Sequence, residues 1–390
     1  APAYFIAVLG VLTIYIFYLT VRLMFGTGIA FLASVLYAAS PLIVMNTRLP
    51  YHTSPIPFFV ILLFYSSFKW IKGNGKNSWY FPLVTFLLAV LYNHEITTFV
   101  YFIAIGIIVG YGFIKRERWF KNLLNKKIML ASMISFLVPM FPFILYDTSH
   151  GYKQTLGFLV WVIYRILKFP ISLVDKSYVS PGSNPSTLPE FFSYYKQLVF
   201  AQSDVVSLII ISITVLFVIR YLINNIKKKI PPSYVLLFLF LFVSTGGLFV
   251  HRVPIEADTL LISPFIIILT TLALIWAVKN KFFVALVLIA IISVSNVFFL
   301  LSTNFLTKGA LGRITFRERL EAVDQVISIS SGEQYNILGK GELSDFPVFI
   351  MPYKYLLWWK GHSPSKRREK LRFIIQEQNG TILLNKLDET

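Results

Sequence analysis

Four of the five histidines of the chain lie in short polar segments between long apolar runs. These segments are NTRLPYHTSP, with Arg48 and His52; LYNHEITTF, with His94 and Glu95; LYDTSHGYK, with Asp147, His150 and Lys153; and VHRVPIEAD, with His251 and Arg252. Carboxylates and imidazoles transfer protons near neutral pH, and Arg and Lys bind phosphate. If all four segments lie on one side of a membrane, they predict one polar site that combines both chemistries.

Within this predicted site, the candidate catalytic residues are Glu95, Asp147 and His94. The candidates for substrate binding are Arg48, His52, His150, Lys153, His251 and Arg252. Each residue also has a purely structural interpretation. Arg48 could extend its cation to the membrane interface, Glu95 could cap the helix after it, and Asp147 could end a helix. Arg252 could pair with Glu256 or Asp258.

The composition identifies the elements that must position these residues. The chain has 390 residues, of which 56% are hydrophobic and 14% charged, whereas soluble domains carry about 25% charged residues. The absence of cysteine excludes a disulfide framework. The net charge of +18 does not indicate nucleic-acid binding, because the basic residues form short clusters between apolar runs. The composition is that of a multi-pass membrane protein.

Ten apolar runs approach the roughly 20 residues that a membrane-spanning helix requires. They are residues 3–21, 29–46, 55–71, 79–93, 96–114, 128–147, 204–223, 234–250, 259–278 and 282–302. Every second loop between these runs belongs to a set with sixteen basic residues and one acid, Glu117. The short loops of the other set have only two basic residues, Arg48 and Arg252. Basic residues are enriched in cytoplasmic loops, so the four polar segments are predicted to lie on the outer face.

The same assignment places the start of the chain outside and makes residues 148–203 a long outer loop. Its apolar stretch 156–169 contains Arg165 and Lys168 and is predicted to be a helix in the outer interface rather than a span. The sequence therefore predicts an all-α polytopic membrane protein with about ten transmembrane helices over residues 1–302. Residues 303–390 form a small extracytoplasmic α/β tail.

The tail has alternating short elements. Residues 315–330 carry apolar side chains at helical spacing, and three runs, Tyr335–Leu338, Val348–Met351 and Leu356–Trp359, have the pattern of strands. The segment RFIIQEQNGTILLNK predicts a hairpin that turns at Asn379-Gly380.

The apolar runs and their junctions resemble a known family, the GT-C membrane glycosyltransferases, which include protein O-mannosyltransferases and aminoarabinose transferases. The resemblance covers roughly residues 5–300. It rests on Arg22, Phe25-Gly26, Ser40-Pro41, Arg48 and Ser54-Pro55, and on LVPMFPFILYDTSHGYKQT and HRVPIEADTLLISPFIIIL.

The resemblance implies a hexosyl or pentosyl transferase of the cell membrane. It would move a sugar, with inversion, from a polyprenyl-phosphate carrier to a glycan, lipid or protein acceptor on the outer face. It also implies an acidic base in the first outer loop, and a divalent metal in some members. Here Thr53 stands where many members have Asp before Ser-Pro, and the chain starts at Ala1 in an apolar run. We therefore expect the base to lie upstream of Ala1.

Two other functions remain open at this point. A transporter or flippase for lipid-linked saccharides has the same composition, although it should carry polar or broken helices at mid-membrane. The spans contain almost no ionisable residues in their interiors, but Pro139, Pro142 and Pro264 leave room for such breaks. A catalytically inactive subunit of the same family is the third function, because the expected acid is missing.

Overall fold

The structure is a computed structural model, which describes residues 2–48, 51–174, 187–228, 230–251, 256–303, 306, 314–341, 344, 347–378 and 381–388. The chain divides into two compact units, Ala1–Phe299 and Leu300–Thr390. The first unit is helical and the second contains a small sheet.

The helices of the first unit are joined mostly by short turns. They are α1 Pro2–Phe25, α2 Thr27–Ala38, α3 Pro41–Asn46, α4 Ile56–Lys72, α5 Tyr80–His94, α6 Val100–Ile114, α7 Arg118–Lys121, α8 Lys126–Ser149, α9 Lys153–Val174, α10 Thr187–Val199, α11 Asp204–Asn225, α12 Pro232–His251, α13 Glu256–Ala277 and α14 Phe282–Ser302. Two 3₁₀ helices, Ile96–Phe99 and Asn122–Leu124, precede α6 and α8.

Seven helical segments in the described part of the chain are long and apolar enough to cross a membrane. They are Tyr4–Phe25, Ile96–Ile114, Lys126–Ser149, Asp204–Asn225, Pro232–Val250, Thr259–Ala277 and Phe282–Ser302. These segments correspond to seven of the ten predicted spans. The other three predicted spans are also helical but shorter, so the total of about ten stays a prediction.

The predicted span 29–46 is divided into α2 and α3. Ser40 has extended backbone angles, with φ −68° and ψ 122°, and Pro41 begins α3. Proline disfavours the helical conformation of the residue before it and has no N–H to continue the ladder, so the helix ends and restarts at this dipeptide. By contrast, Pro139 and Pro142 lie within the continuous helix α8, and Pro264 lies within α13.

Helix α13 is the centre of the first unit, and most of its apolar span is buried. The Tyr101 hydroxyl of α6 donates a 2.7 Å hydrogen bond to the carbonyl of Leu261 in α13. Helix α5 is bonded to α8, because the amide of Asn93 donates to the carbonyl of Pro139 at 3.0 Å. These bonds fix the helices whose ends carry the candidate site.

Outward-facing apolar side chains cover the peripheral helices. On α8, Leu137, Val138 and Phe141 are exposed, and α1 and α14 present similar faces. Contiguous exposed apolar surface on this scale is unfavourable in water and suits contact with lipid. The protein is a multi-pass membrane protein, as the composition predicts.

The predicted interfacial helix 156–169 lies within α9, which is longer and runs from Lys153 to Val174. The side chains of Arg165 and Lys168 lie outside the described set. The depth of α9 in a bilayer stays a prediction.

The second unit contains α15 Phe316–Ser330, β1 Tyr335–Lys340, α16 Pro347–Trp359, β2 Leu371–Gln378 and β3 Thr381–Asp388. Strands β1 and β2 are parallel, with Tyr335 opposite Leu371, and β2 and β3 are antiparallel, with Gln378 opposite Thr381. The predicted helix, first strand and hairpin are confirmed, while the turn residues Asn379 and Gly380 lie outside the described residues.

The two predicted strands at Val348–Met351 and Leu356–Trp359 are wrong, because both runs belong to α16. Ile350, Tyr353 and Leu357 are spaced three and four residues apart and pack on the sheet together with Leu356. Short apolar runs do not separate strand from helix by themselves. Here the connection between two parallel strands requires a crossover, which α16 supplies.

Candidate active site

Two of the four polar segments meet through a pair of side chains. His52 Nε2 lies 3.1 Å from Glu95 Oε2, although the two residues are 43 positions apart. His52 is about half exposed and the Glu95 side chain is 21% exposed. A carboxylate can only accept a hydrogen bond, so His52 donates from Nε2 and its Nδ1 is the accepting nitrogen of the neutral ring.

His94 joins this pair through the backbone. Its Nδ1 lies 2.9 Å from the carbonyl oxygen of His52 and therefore donates, which leaves Nε2 as the accepting nitrogen of the neutral ring. The ring of His94 also stacks on Phe59 of α4, with 5.4 Å between centroids. His52, Glu95 and His94 thus form one cluster, which we call the His52–Glu95 cluster. The hydroxyl of the neighbouring Thr53 is buried rather than directed to solvent.

The sequence around Glu95 explains why its carboxylate reaches this position. Helix α5 ends at His94, and Glu95 is extended, with φ −158° and ψ 131°. Its Oε1 accepts the N–H of Ile96 at 3.0 Å, and its carbonyl accepts the Thr98 hydroxyl at 2.7 Å. Glu95 therefore caps the next 3₁₀ helix, as its structural interpretation predicts, while its second oxygen meets His52.

Asp147 lies in a different environment. It is buried at 2% exposure near the end of α8, and it binds the start of α9. The N–H of Gln154 donates to Oδ1 at 2.8 Å, the N–H of Thr155 donates to Oδ2 at 3.1 Å, and the Thr155 hydroxyl donates to Oδ2 as well. The carboxylate satisfies N–H groups that have no partner within α9, so it fixes the angle between α8 and α9.

His150 and Lys153 lie in the turn between these two helices. The turn is tight, because Gly151 and Tyr152 both have positive φ, 71° and 59°. The His150 ring stacks on Tyr146 at 4.1 Å, and its Nδ1 lies 2.7 Å from the Tyr146 carbonyl. Lys153 is exposed at the first position of α9.

The structure gives less information on the other three candidates, Arg48, His251 and Arg252. Arg48 is exposed just after α3. His251 is the last residue of α12, and its side chain lies outside the described set, as does the whole of Arg252. The structure therefore brings His52, His94 and Glu95 together and joins Asp147 to the segment of His150 and Lys153. In the fourth polar segment it describes only the helix ends at His251 and Glu256, without their side chains.

A cavity of about 320 Å³ lies among the helices that follow Glu95 in the chain, and none of the three cluster residues is part of its lining. Its lining begins at Ile96, the residue after Glu95, and comes from the 3₁₀ helix with α6, from α9, from α12 and from α13. Phe99, Phe158 and Trp161 supply aromatic walls, and almost all of the lining is apolar. The cavity is shaped for a hydrocarbon rather than for a polar ligand.

The sequence analysis missed this cavity and the residues that shape it. Gly247 of α12 lies against Val100 of α6, and a Cβ at Gly247 would lie 2.3 Å from Val100 Cγ1. The signal was the Gly246-Gly247 pair within an apolar helix, since small residues allow close helix contact in membranes.

A metal centre finds no support in the described residues, which contain no group of three or more His, Asp or Glu side chains placed to hold an ion. The divalent metal that the resemblance implies in some members stays a prediction.

A family model, described as dolichyl-phosphate-mannose-protein mannosyltransferase, matches residues 2–146. The match confirms the resemblance to GT-C transferases over those residues, which include the His52–Glu95 cluster and end just before Asp147. The description of that family names transfer of mannose from a dolichyl-phosphate carrier to protein. A search of curated proteins found no significant match.

Proposed function

We propose that this chain transfers a sugar from a polyprenyl-phosphate carrier to an acceptor hydroxyl on the outer face of the membrane. The observation that carries the proposal is the pairing of His52 with Glu95, the residue that directly precedes Ile96 in the wall of an apolar cavity. A polyprenyl-phosphate sugar needs such a junction, because its chain is apolar and its reacting end is polar.

The apolar cavity is the proposed site for the first isoprene units of the carrier. Transfer of hydrocarbon to an apolar surface is favourable by about 0.8 kcal/mol per buried CH₂ relative to water, although a bilayer offers the chain a similar environment. Aromatic side chains such as Phe158 and Trp161 therefore serve mainly to orient the chain. The phosphate and the sugar then lie at the polar edge.

The His52–Glu95 pair is the proposed proton acceptor, in place of the acidic base that the resemblance puts upstream of Ala1. Glu95 holds the Nε2–H of His52, so Nδ1 is the basic nitrogen. The acceptor hydroxyl oxygen forms a bond to the anomeric carbon as its proton passes to Nδ1. The bond between the anomeric carbon and the phosphate oxygen breaks, and its electron pair leaves with polyprenyl phosphate. Glu95 acts as a positioning residue that also stabilises the resulting imidazolium.

The leaving phosphate requires cations. Arg48, Lys153 and Arg252 are the proposed partners, because charge-assisted hydrogen bonds strengthen as negative charge develops on the phosphate. Asp147 is proposed to position Lys153 and His150 by fixing the start of α9. His94 and His251 remain proposed ligands of the donor or acceptor.

A transporter of lipid-linked saccharides is the alternative. It would be favoured by helices broken at mid-membrane, and α2 and α3 form one such interruption. In contrast, α8 and α13 continue through their prolines. A transferase moves the sugar off its carrier, whereas a transporter moves the intact lipid-linked saccharide across the membrane, so these two measurements distinguish the functions.

The test uses the purified chain in nanodiscs of neutral lipid with polyprenyl-phosphate mannose, radiolabelled in the sugar, and with a membrane extract added as the source of acceptor hydroxyls. Release of polyprenyl phosphate is measured in wild type, in His52→Asn and in the control Glu117→Gln. Glu117 lies between α6 and α7, in a loop predicted to be cytoplasmic. We expect wild-type release, its loss in His52→Asn and no change in the control. Wild-type protein that moves the intact carrier across proteoliposomes without releasing sugar would support the transporter instead.

Donor binding is measured separately with a photoreactive polyprenyl-phosphate analogue and peptide mapping. Crosslinks are expected on peptides that contain Phe99, Phe158 or Trp161. Crosslinks spread over the outward faces of α1 and α8 would remove the cavity from the proposal.

A further inference from the structure

The second unit contains a cavity of about 420 Å³ with an unusual charge. Five of its ten lining residues are cations: Lys354 of α16; Lys366, Arg367 and Arg368 of the connection after it; and Arg372 of β2. Among the described residues, no Asp or Glu lines it. This unit lies beyond the residues that the family model matches.

The basic connection is held in place by side chains of β1. The amide of Asn336 donates to the carbonyls of Ser365 and Arg367 at 3.0 and 2.8 Å, and its oxygen accepts the N–H of Glu369 at 2.8 Å. The carbonyl of Tyr335 accepts the N–H of Ser365 at 2.8 Å. These hydrogen bonds of Asn336 and Tyr335 thus fix the backbone that carries the cations.

Lys354, Lys366 and Arg367 are exposed, and like charges at one cavity repel one another. The carboxylate of Glu369 accepts the hydroxyl of Ser365 at 2.6 Å and is not part of the lining. Arg372 Nε donates to the Glu369 carbonyl at 3.3 Å, which directs this guanidinium along the connection. Arg and Lys groups around a concave site match the geometry of phosphate oxygens.

The exposed face of α16 adds an interfacial feature beside the cavity. Met351, Lys354, Tyr355 and Trp358 are spaced as i, i+3, i+4 and i+7, so they share one stripe of the helix. Met351, Tyr355 and Trp358 are about 60% exposed, and so is the neighbouring Trp359. Tyr and Trp favour the membrane–water interface, where one end of the ring is apolar and the other is wet.

We propose that this basic cavity binds the phosphate headgroup of an anionic lipid while the aromatic stripe of α16 enters the interface beside it. Lys354 belongs to both features and joins them. The chain tethers the unit to α14, a helix long enough to cross a membrane, because α14 ends at Ser302 and the next described helix begins at Phe316. A phosphate site next to exposed aromatic rings fits a lipid better than a fully soluble anion.

The test titrates the purified full chain, in non-ionic detergent, with three probes and measures binding by microscale thermophoresis. The probes are dioctanoyl phosphatidic acid, glycerol 3-phosphate and dioctanoyl phosphatidylcholine. We expect phosphatidic acid to bind at least tenfold more tightly than either of the others. The cavity variant Lys354→Gln/Lys366→Gln/Arg367→Gln should lose at least tenfold in affinity for it.

The matched control is Arg317→Gln/Lys340→Gln/Lys370→Gln, which removes the same number of charges from the same unit outside the cavity. This control should bind like wild type, and all replaced residues are exposed, so folding is preserved. If both variants lost the same affinity for phosphatidic acid, net charge alone would explain the binding and the proposal would be overturned. Equal affinity for glycerol 3-phosphate and phosphatidic acid would overturn its lipid part. Sugar transfer is not measured, so the outcome is independent of the proposed catalytic function.

Discussion

Replacing Glu95 by Gln removes one charge from the His52–Glu95 cluster with almost no change in shape. The carboxylate accepts two hydrogen bonds, from Ile96 N–H at 3.0 Å and from His52 Nε2 at 3.1 Å. A glutamine has one oxygen. If that oxygen caps the 3₁₀ helix, its NH₂ group faces His52 and favours the tautomer protonated at Nδ1. The proton then occupies the nitrogen that must accept one from the substrate.

The expected magnitudes differ strongly between stability and rate. The His52 side chain is 48% exposed, and exposed polar pairs of this kind contribute about 0–1 kcal/mol, so the free energy of unfolding should fall by less than about 1 kcal/mol. General acid–base catalysis contributes roughly 10²- to 10⁴-fold, so kcat should fall by at least about 100-fold. KM for the donor should change little, because the apolar cavity is unaltered.

The assay is release of polyprenyl phosphate at saturating donor, together with thermal unfolding of the same preparations. Glu117→Gln supplies the same chemical change in another loop and should leave kcat unchanged. Glu95→Asp keeps the charge and should recover part of the rate. A Glu95→Gln protein with kcat within twofold of wild type would refute the proton-accepting role of the pair.

Three further predictions concern packing, capping and pH. Gly247→Ala should lower the free energy of unfolding of the first unit by about 1–3 kcal/mol, because the new methyl group would overlap Val100. Adding Val100→Ala should restore the stability. Gly246→Ala, whose methyl group has no neighbour within 4 Å, is the neutral control, and thermal unfolding compares all three. Asp147→Asn should raise KM for the donor more than it lowers kcat. An NH₂ group then replaces one of the two buried oxygens that accept three donors, which loosens the start of α9 at the cavity. Burial raises the pKa of Tyr335 to about 12. The stability that the neutral tyrosine contributes to the second unit is therefore complete below about pH 10 and is lost as the pH rises through about 12. Tyr335→Phe should lack this alkaline step in circular dichroism, and an unchanged step would assign it to other tyrosines.

Much of the fold could be predicted because apolar length and loop charge are strong signals in membrane proteins. The seven long helices agree with predicted spans to within a few residues. The division at Ser40-Pro41 was missed because hydropathy averages over it, although proline itself marks such a break. The second unit was harder, because the strands predicted within α16 rest on short apolar runs, and only the topology of β1 and β2 decides between strand and helix.

The candidate site shows a different limit. The sequence pattern puts His52, His94 and Glu95 on the same predicted face, but the bond between His52 and Glu95 depends on how α4 and α5 pack. Asp147 has the same pattern as Glu95, an acid at the end of an apolar run. The difference lies in the next few residues of the chain: after Asp147 a tight turn folds the start of α9 back onto its carboxylate.

The two carboxylates therefore obey one physical rule with different results. Each binds N–H groups at the start of a helix, where backbone donors have no internal partner. The Asp147 carboxylate accepts hydrogen bonds from two N–H groups and a hydroxyl, so both of its oxygens are occupied and the group is buried. The Glu95 carboxylate accepts a hydrogen bond from one N–H group, so its second oxygen is available to His52. The number of backbone donors within reach thus separates a carboxylate that fixes α9 from one that can orient a proton acceptor. It makes Glu95 rather than Asp147 the acid whose loss should lower kcat most.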